Sequence, residues 1–172
     1  MSRNVEIKAR IESIEVLTRK VAALATEGPL EIAQDDTFFS CQAGRLKLRA
    51  FSKNSGELIF YRRANQSGPK ESFYVRSPTP EPESLREALT LAYGQTGRVK
   101  KHRTVFLVGR THVHLDQVEG LGIFLELEVV LAGGEALQVG IAEATELMVK
   151  LGVQQHQLLE EAYVDLLAKR GV

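Results

Sequence analysis

The feature that most restricts how this chain folds is an alternation in which every second side chain is polar, often charged, and those between are aliphatic. Strand side chains point to opposite faces in turn, so each such stretch carries two chemically different faces. In residues 4–11, Val5, Ile7, Ala9 and Ile11 form one face and Asn4, Glu6, Lys8 and Arg10 the other. In residues 44–51, Arg45, Lys47 and Arg49 stand in a row opposite Leu46, Leu48 and Ala50. In residues 101–130, KHRTVFLVGRTHVHLDQVEGLGIFLELEVV, two β-like runs flank Glu119-Gly120-Leu121-Gly122. Glu126 and Glu128 there share a face opposite Leu125, Leu127 and Val129, and a short turn brings Asp116, with His114 and His112, alongside them.

The charged faces are sorted by sign. Glu6, Asp116, Glu126 and Glu128 supply acids, whereas Lys8, Arg45, Lys47, Arg49, Lys101, Arg103 and one of Arg62 or Arg63 supply bases. The Glu126 and Glu128 pair alone fits the wet face of an antiparallel sheet equally well. A solvated face usually mixes Thr, Ser, Gln, Lys and Glu, so rows of unmixed charge on several strands predict an enclosed polar interior. The aliphatic faces would then lie outside, beneath helices, around a channel instead of a dry core.

Clustered acids repel and are costly to dehydrate, so they need solvent or a cation. Mg²⁺ and Mn²⁺ prefer a few carboxylate oxygens plus substrate phosphates, and arginine forks match phosphate oxygens. A metal-bound triphosphate satisfies both sets of charges, while a carboxylate ligand such as citrate leaves the acids unexplained.

The remaining sequence supplies helices and turns. Ser13 caps a predicted helix running to about Glu27, with Gly28-Pro29 ending it and 37–39 as a short strand. Asn54-Ser55-Gly56 turns the basic strand into residues 57–63, and a strand is expected over 70–76. Ser77-Pro78-Thr79-Pro80-Glu81-Pro82 reads as a connection between halves, followed by helices over 83–93, 135–151 and 157–169. Glu119 belongs to a turn, Tyr163 reads as packing its helix, and His112 and His114 as solvated or hydrogen-bonded.

With 172 residues the chain suits one domain, and 22 basic residues against 22 acidic ones give no electrostatic case for nucleic acid or an anionic membrane. The N-terminal MSRNVEIKAR lacks the apolar centre of a signal peptide, no apolar run approaches the ~20 residues of a membrane span, and the lone Cys41 forms no internal disulfide. A cytoplasmic location is the expectation.

Glu6-Ile7-Lys8, the Leu46-to-Arg49 row, Lys101-x-Arg103, the segment from His114 to Gly122, and Phe124-Leu125-Glu126-Leu127-Glu128-Val129 together resemble the CYTH family, the triphosphate tunnel metalloenzymes. The resemblance covers nearly the whole chain, as a single CYTH-like domain over 1–172, and looks nearest to the class IV adenylyl cyclase type. It implies an α+β fold, an eight-stranded antiparallel β-barrel forming the triphosphate tunnel with flanking helices. It also implies Mg²⁺ or Mn²⁺ held by Glu6, Asp116, Glu126 and Glu128. Lys8, Arg45, Lys47, Arg49, Arg62, Lys101 and Arg103 are the implied substrate contacts, and Glu6, Lys8, Glu126 and Glu128 the implied catalytic set. A small-molecule triphosphate (ATP, thiamine triphosphate or tripolyphosphate) is the implied partner, and a homodimer is compatible with it. Where the family's signature places its first glutamate, this chain has Asn4, which offers a neutral oxygen. An adenylyl cyclase, a triphosphatase and a weakly active triphosphate-binding module all draw on these residues.

Overall fold

The computed structural model describes residues 2–170. In chain order it contains β1 (Ser2–Arg10), α1 (Ile14–Leu24), β2 (Glu27–Phe39), β3 (Arg45–Ser52), β4 (Ser55–Arg63), β5 (Lys70–Thr79), α2 (Pro82–Tyr93), β6 (Gln95–Val108), β7 (Thr111–Val118), β8 (Gly122–Val130), α3 (Leu137–Lys150) and α4 (Tyr163–Lys169). The strands close into a barrel in the order β1-β5-β4-β3-β2-β6-β7-β8, and every neighbouring pair is antiparallel. No helix among the described residues is long and apolar enough to cross a membrane.

The main apolar core lies outside the barrel, as the alternation requires. Val5, Ile7 and Ala9 of β1, Val113 and Leu115 of β7, and Leu125, Leu127 and Val129 of β8 are buried against α1 and α3 through Val21, Ala144, Leu147 and Met148. Each Val, Leu, Ile or Met side chain so withdrawn from water is worth ~1.5–3 kcal/mol. The fit of α3 on β1 is close. A Cβ placed on Gly140 would come within 2.7 Å of Leu131 and 2.8 Å of Val5. Gly140→Leu is therefore expected to force the helix off the sheet and cost ~1–3 kcal/mol of stability, measured by thermal unfolding.

Ser13 caps α1, its Oγ accepting from the Val16 N–H at 3.3 Å. The helix stops at Leu24, short of the predicted end, and β2 begins at Glu27 and runs 13 residues through Pro29. A register shift between Glu27 and Leu30 accommodates the proline, which cannot donate to the ladder. β5 likewise continues through Pro78 to Thr79, because among the described residues its pairing with β1 ends at Tyr74 and only β4 flanks it beyond.

The predicted last helix is the largest departure. A 3-10 turn at Gln155–Gln157 is followed by extended chain, and α4 begins only at Tyr163. Ala9 bridges Leu158, and the Leu159 N–H donates to the Lys8 carbonyl at 2.9 Å. The ammonium of Lys70, 1% exposed, donates to the carbonyls of Gln66 and Glu160 at 2.9 and 3.0 Å and to that of Leu159 at 3.4 Å. These bonds hold residues 158–160 out of a helix, and the chain bends at Glu161 before α4 at one end of the barrel. There Ala162, Tyr163 and Val164 pack on Phe38, Val99, Val118, Leu121 and Phe124.

Candidate active site

The barrel encloses a cavity of about 320 Å³. Seven basic side chains line it (Lys8, Lys47, Arg49, Arg63, Arg76, Lys101 and Arg103), together with five acidic ones (Glu6, Asp36, Glu57, Glu126 and Glu128) and His112 and His114. At the end nearer Phe124 the α4 cluster closes the cavity, with Tyr163 only 5% exposed. Towards the other end lie Asn4, Glu128 and His112, with the more exposed Phe51, Tyr74 and Arg76 around the mouth.

Barrel order separates the charges. Lys47 and Arg49 come from β3 and Lys101 and Arg103 from β6, the two neighbours of β2, which makes β3–β2–β6 a basic wall. Glu6 on β1 faces Glu128 on the adjacent β8, and Lys8 faces Glu126, which makes β1–β8 an acidic wall across the barrel.

Each wall is neutralised locally. Asp36, 1% exposed, accepts both Nε and Nη2 of Arg49 at 2.8 Å, with Lys47 at 3.1 Å and Lys101 at 3.2 Å. Burial alone would push its carboxyl up, but Arg49, Lys101 and Lys47 together hold it well below the usual range. Burial, reinforced by the neighbouring cations, pushes Lys101 down to about 7 and Lys47 down to about 8 against the pull of Asp36. On the acidic wall, Glu126 lies 3.2 Å from Lys8, 3.4 Å from Arg103 and 3.5 Å from His114. Those three outweigh burial and keep Glu126 ionised. Glu6 accepts from Arg63 at 2.7 Å. Removal from water, with Glu126 and Glu6 beside it, pushes Glu128 up to about 8, and burial pushes His114 down to about 4, leaving it neutral at pH 7.

Glu6, Lys8, Lys47, Arg49, Lys101, Arg103, Glu126 and Glu128 are thus brought together as the sequence predicts. Three predicted residues are not. Arg62 points outward and donates to the Ala43 carbonyl at 2.8 Å, while its neighbour Arg63 occupies the interior with Ile59 and Tyr61. Arg45 has the inward parity but sits at the barrel rim, where Asp165 of α4 takes its fork at 2.9 and 2.7 Å. Asp116 lies outside the cavity lining, fully buried behind Arg103. Both its oxygens are taken by the Arg103 fork at 2.7 Å, and Oδ2 also accepts from the Tyr163 hydroxyl at 2.7 Å. In this arrangement it braces Arg103 from behind instead of facing the cavity.

Sequence reasoning missed Asp36, which lies between Pro29 and the predicted short strand over 37–39 in a stretch given no element, and it read His114 as solvated or hydrogen-bonded, whereas His114 is buried with Nδ1 unpartnered. The Tyr163 ring lies against Phe124, with the Lys8 ammonium 3.9 Å from its centroid. The donors on the acidic wall suit a divalent cation. Glu128, His112 and His114 offer ligand atoms within 4.8 Å of one another, and Asn4 Oδ1 and His114 Nδ1 are buried without hydrogen-bond partners.

The CYTH domain family profile matches residues 2–163. The chain belongs to the CYTH family. CYTH proteins act as adenylyl cyclases or triphosphatases and depend on metal. Adenylate cyclase CyaB of Aeromonas hydrophila is 27% identical over 166 residues, covering 92% of this chain and 85% of its own length. A solved structure from Pyrococcus horikoshii superposes with a TM-score of 0.83 at 22% identity, over 96% of this chain and 99% of the other. A putative adenylyl cyclase from Hippeastrum, described as having a dominant triphosphatase activity, shares the fold with a TM-score of 0.64 at 15% identity, over 99% and 95% of the two chains. The CYTH barrel is therefore common to proteins of different reported chemistry, and the cavity has to supply the argument for this one.

Proposed function

We propose that this CYTH protein is a divalent-metal-dependent enzyme that binds a triphosphate in the barrel and converts ATP to cyclic AMP and pyrophosphate. The supporting observation is the pairing of a basic β3–β2–β6 wall with an acidic β1–β8 wall across one cavity. A triphosphate chain lying between them exchanges the ion pairs with Asp36 for pairs with Lys47, Arg49 and Lys101, and meets Arg103, Lys8 and Arg63 on its other sides. The α4 cluster closes one end, so the organic part of the ligand faces the mouth at Phe51, Tyr74 and Arg76.

Phosphoryl and nucleotidyl transfer need chiefly alignment and charge neutralisation. Glu6, Glu126 and Glu128 of the acidic wall would hold a divalent cation, which would supply further charge neutralisation. The chain's own cations do the rest. They hold the phosphates in line and take up the charge that develops on pyrophosphate as the ribose 3′-oxygen bonds to the α-phosphorus, the bond from that phosphorus to the bridging oxygen breaks, and the hydroxyl proton is released. Hydrolysis at the terminal phosphorus is the second reading. It is favoured by the lining itself, whose charged groups suit a triphosphate whatever organic group it carries.

Incubation with ATP, thiamine triphosphate and tripolyphosphate, with Mg²⁺ or Mn²⁺, separates the readings by product. Cyclic AMP with pyrophosphate supports the first, and orthophosphate released from any of the three supports the second. Binding without product would leave a triphosphate-binding module, and indifference to all three would overturn the proposal.

A pH dependence follows from Lys101 and Lys47, with values near 7 and 8 in the ligand-free cavity. Both must be charged to pair with a polyanion, so binding takes up protons, and affinity is lost as pH rises through 7 and then 8. The loss approaches tenfold per pH unit for each lysine. Calorimetry with tripolyphosphate between pH 6.5 and 9 is expected to show a steeper decline for the native chain than for Lys101→Arg, whose side chain stays charged. The ligand's own ionisation is common to both.

A further inference from the structure

The acidic wall contains a donor set that a magnesium site does not call for. His112 and His114 stand two residues apart on β7, so their side chains share the inward face, and Glu128 is the register partner of His112 on β8. One imidazole nitrogen from each histidine and one oxygen of Glu128 lie within 4.8 Å of one another. His114 is 5% exposed and its Nδ1 makes no hydrogen bond, the nearest carboxylate oxygen being that of Glu126 at 3.5 Å. A buried imidazole nitrogen without a partner is costly, and a cation would satisfy it.

We propose that His112, His114 and Glu128 form a site for one divalent transition cation of the Zn²⁺, Co²⁺ or Ni²⁺ class, which shares Glu128 with the carboxylates expected to hold Mg²⁺ and differs from such a site in its two imidazole donors. Imidazole suits these borderline ions, whereas Mg²⁺ takes oxygen. Three protein donors leave a coordination position open, and zinc–nitrogen bonds of about 2.0–2.1 Å are reached by side-chain movements on the order of 1 Å. All three donors line the cavity, so the inference deepens the proposed function and relies on it for the ion's use, though not for its binding.

The test uses the full chain without any triphosphate. Titration with Co²⁺ is expected to give one equivalent of bound ion with a visible absorption band. Equimolar Zn²⁺ should displace it and a large excess of Mg²⁺ should not. His112→Ala and His114→Ala should each weaken Co²⁺ binding by about tenfold or more. His102→Ala should leave it unchanged, since that imidazole is on the outer face beside Glu31. Thermal unfolding of each variant controls for folding, and the displacement arm on the native chain stands even if a variant fails to fold. Displacement by Mg²⁺ as readily as by Zn²⁺, or Co²⁺ binding indifferent to both histidines, would overturn the inference. Tripolyphosphate affinity in metal-free buffer tests the cavity reading separately, so failure of one is distinguishable from failure of the other.

Discussion

Replacing Asp36 with asparagine is expected to weaken the ligand-free fold while tightening the hold on a polyanion. Asp36 is 1% exposed and is the common partner of Arg49, Lys47 and Lys101. Asparagine keeps the volume but removes the charge, leaving three cations facing one another in a buried wall. Removing one partner of a buried ion pair typically costs ~3–5 kcal/mol. Part of this is recovered because Lys101, already pushed down to about 7, can shed its proton. With tripolyphosphate the sign reverses. In the native chain the ligand competes with Asp36 for Arg49 and Lys101, and hydrogen bonds to charged groups are worth ~1.5–3 kcal/mol. Relief of even one such competition raises affinity by about tenfold or more. Thermal unfolding with and without tripolyphosphate, beside calorimetry, checks both halves. Unchanged stability would contradict the central position of Asp36, and weaker binding would mean that the acid supports the ligand instead of standing in for it.

The parts of this site that were legible in the sequence are those where each strand face has one chemistry. β1, β3 and β8 set rows of charge against aliphatic residues, and in each case the charged row is the inward one. β2 hides its nature because its inward residues are Ile32, Gln34, Asp36 and Phe38, a mixture with no periodic signal, and its proline and glycine mimic a helix stop. Arg62 and Arg63 are adjacent, so parity alone demands that one face inward without saying which. Burial of Ile59 at 5% exposure and the placement of Tyr61 in the lining settle it for Arg63.

Parity also leaves depth undetermined. Arg45, Lys47 and Arg49 share a face, yet Arg45 lies at the rim, where only long-range packing brings Asp165 to it. Asp116 shares a face with His114 and His112 but lies deeper towards the α4 cluster, where Arg103 and Tyr163 enclose it. Leu158, Leu159, Ala162 and Leu166 fall at helical spacing, but tertiary hydrogen bonds with β1 and Lys70 take the backbone of residues 158–160 first. Local pattern therefore reports which face is charged, while contacts remote in sequence decide which charges are spent on the fold and which remain for a ligand.

Arg103 does both, and the two roles can be separated. Truncating Arg103→Ala is expected to cost ~3–5 kcal/mol in thermal unfolding, because Asp116 is fully buried and would keep only the Tyr163 hydroxyl. Tripolyphosphate affinity should fall as well, since the Arg103 guanidinium lines the cavity within 3.4 Å of Glu126. Arg103→Lys keeps the charge but loses the fork, so it should show a smaller version of both losses. The informative protein is the double variant Arg103→Ala/Asp116→Asn. Removing the stranded charge should restore much of the stability lost in Arg103→Ala, while affinity stays low because the cation is still missing from the wall. If the double variant regains affinity along with stability, Arg103 only braces the barrel, and the basic wall that meets the ligand reduces to Lys47, Arg49 and Lys101.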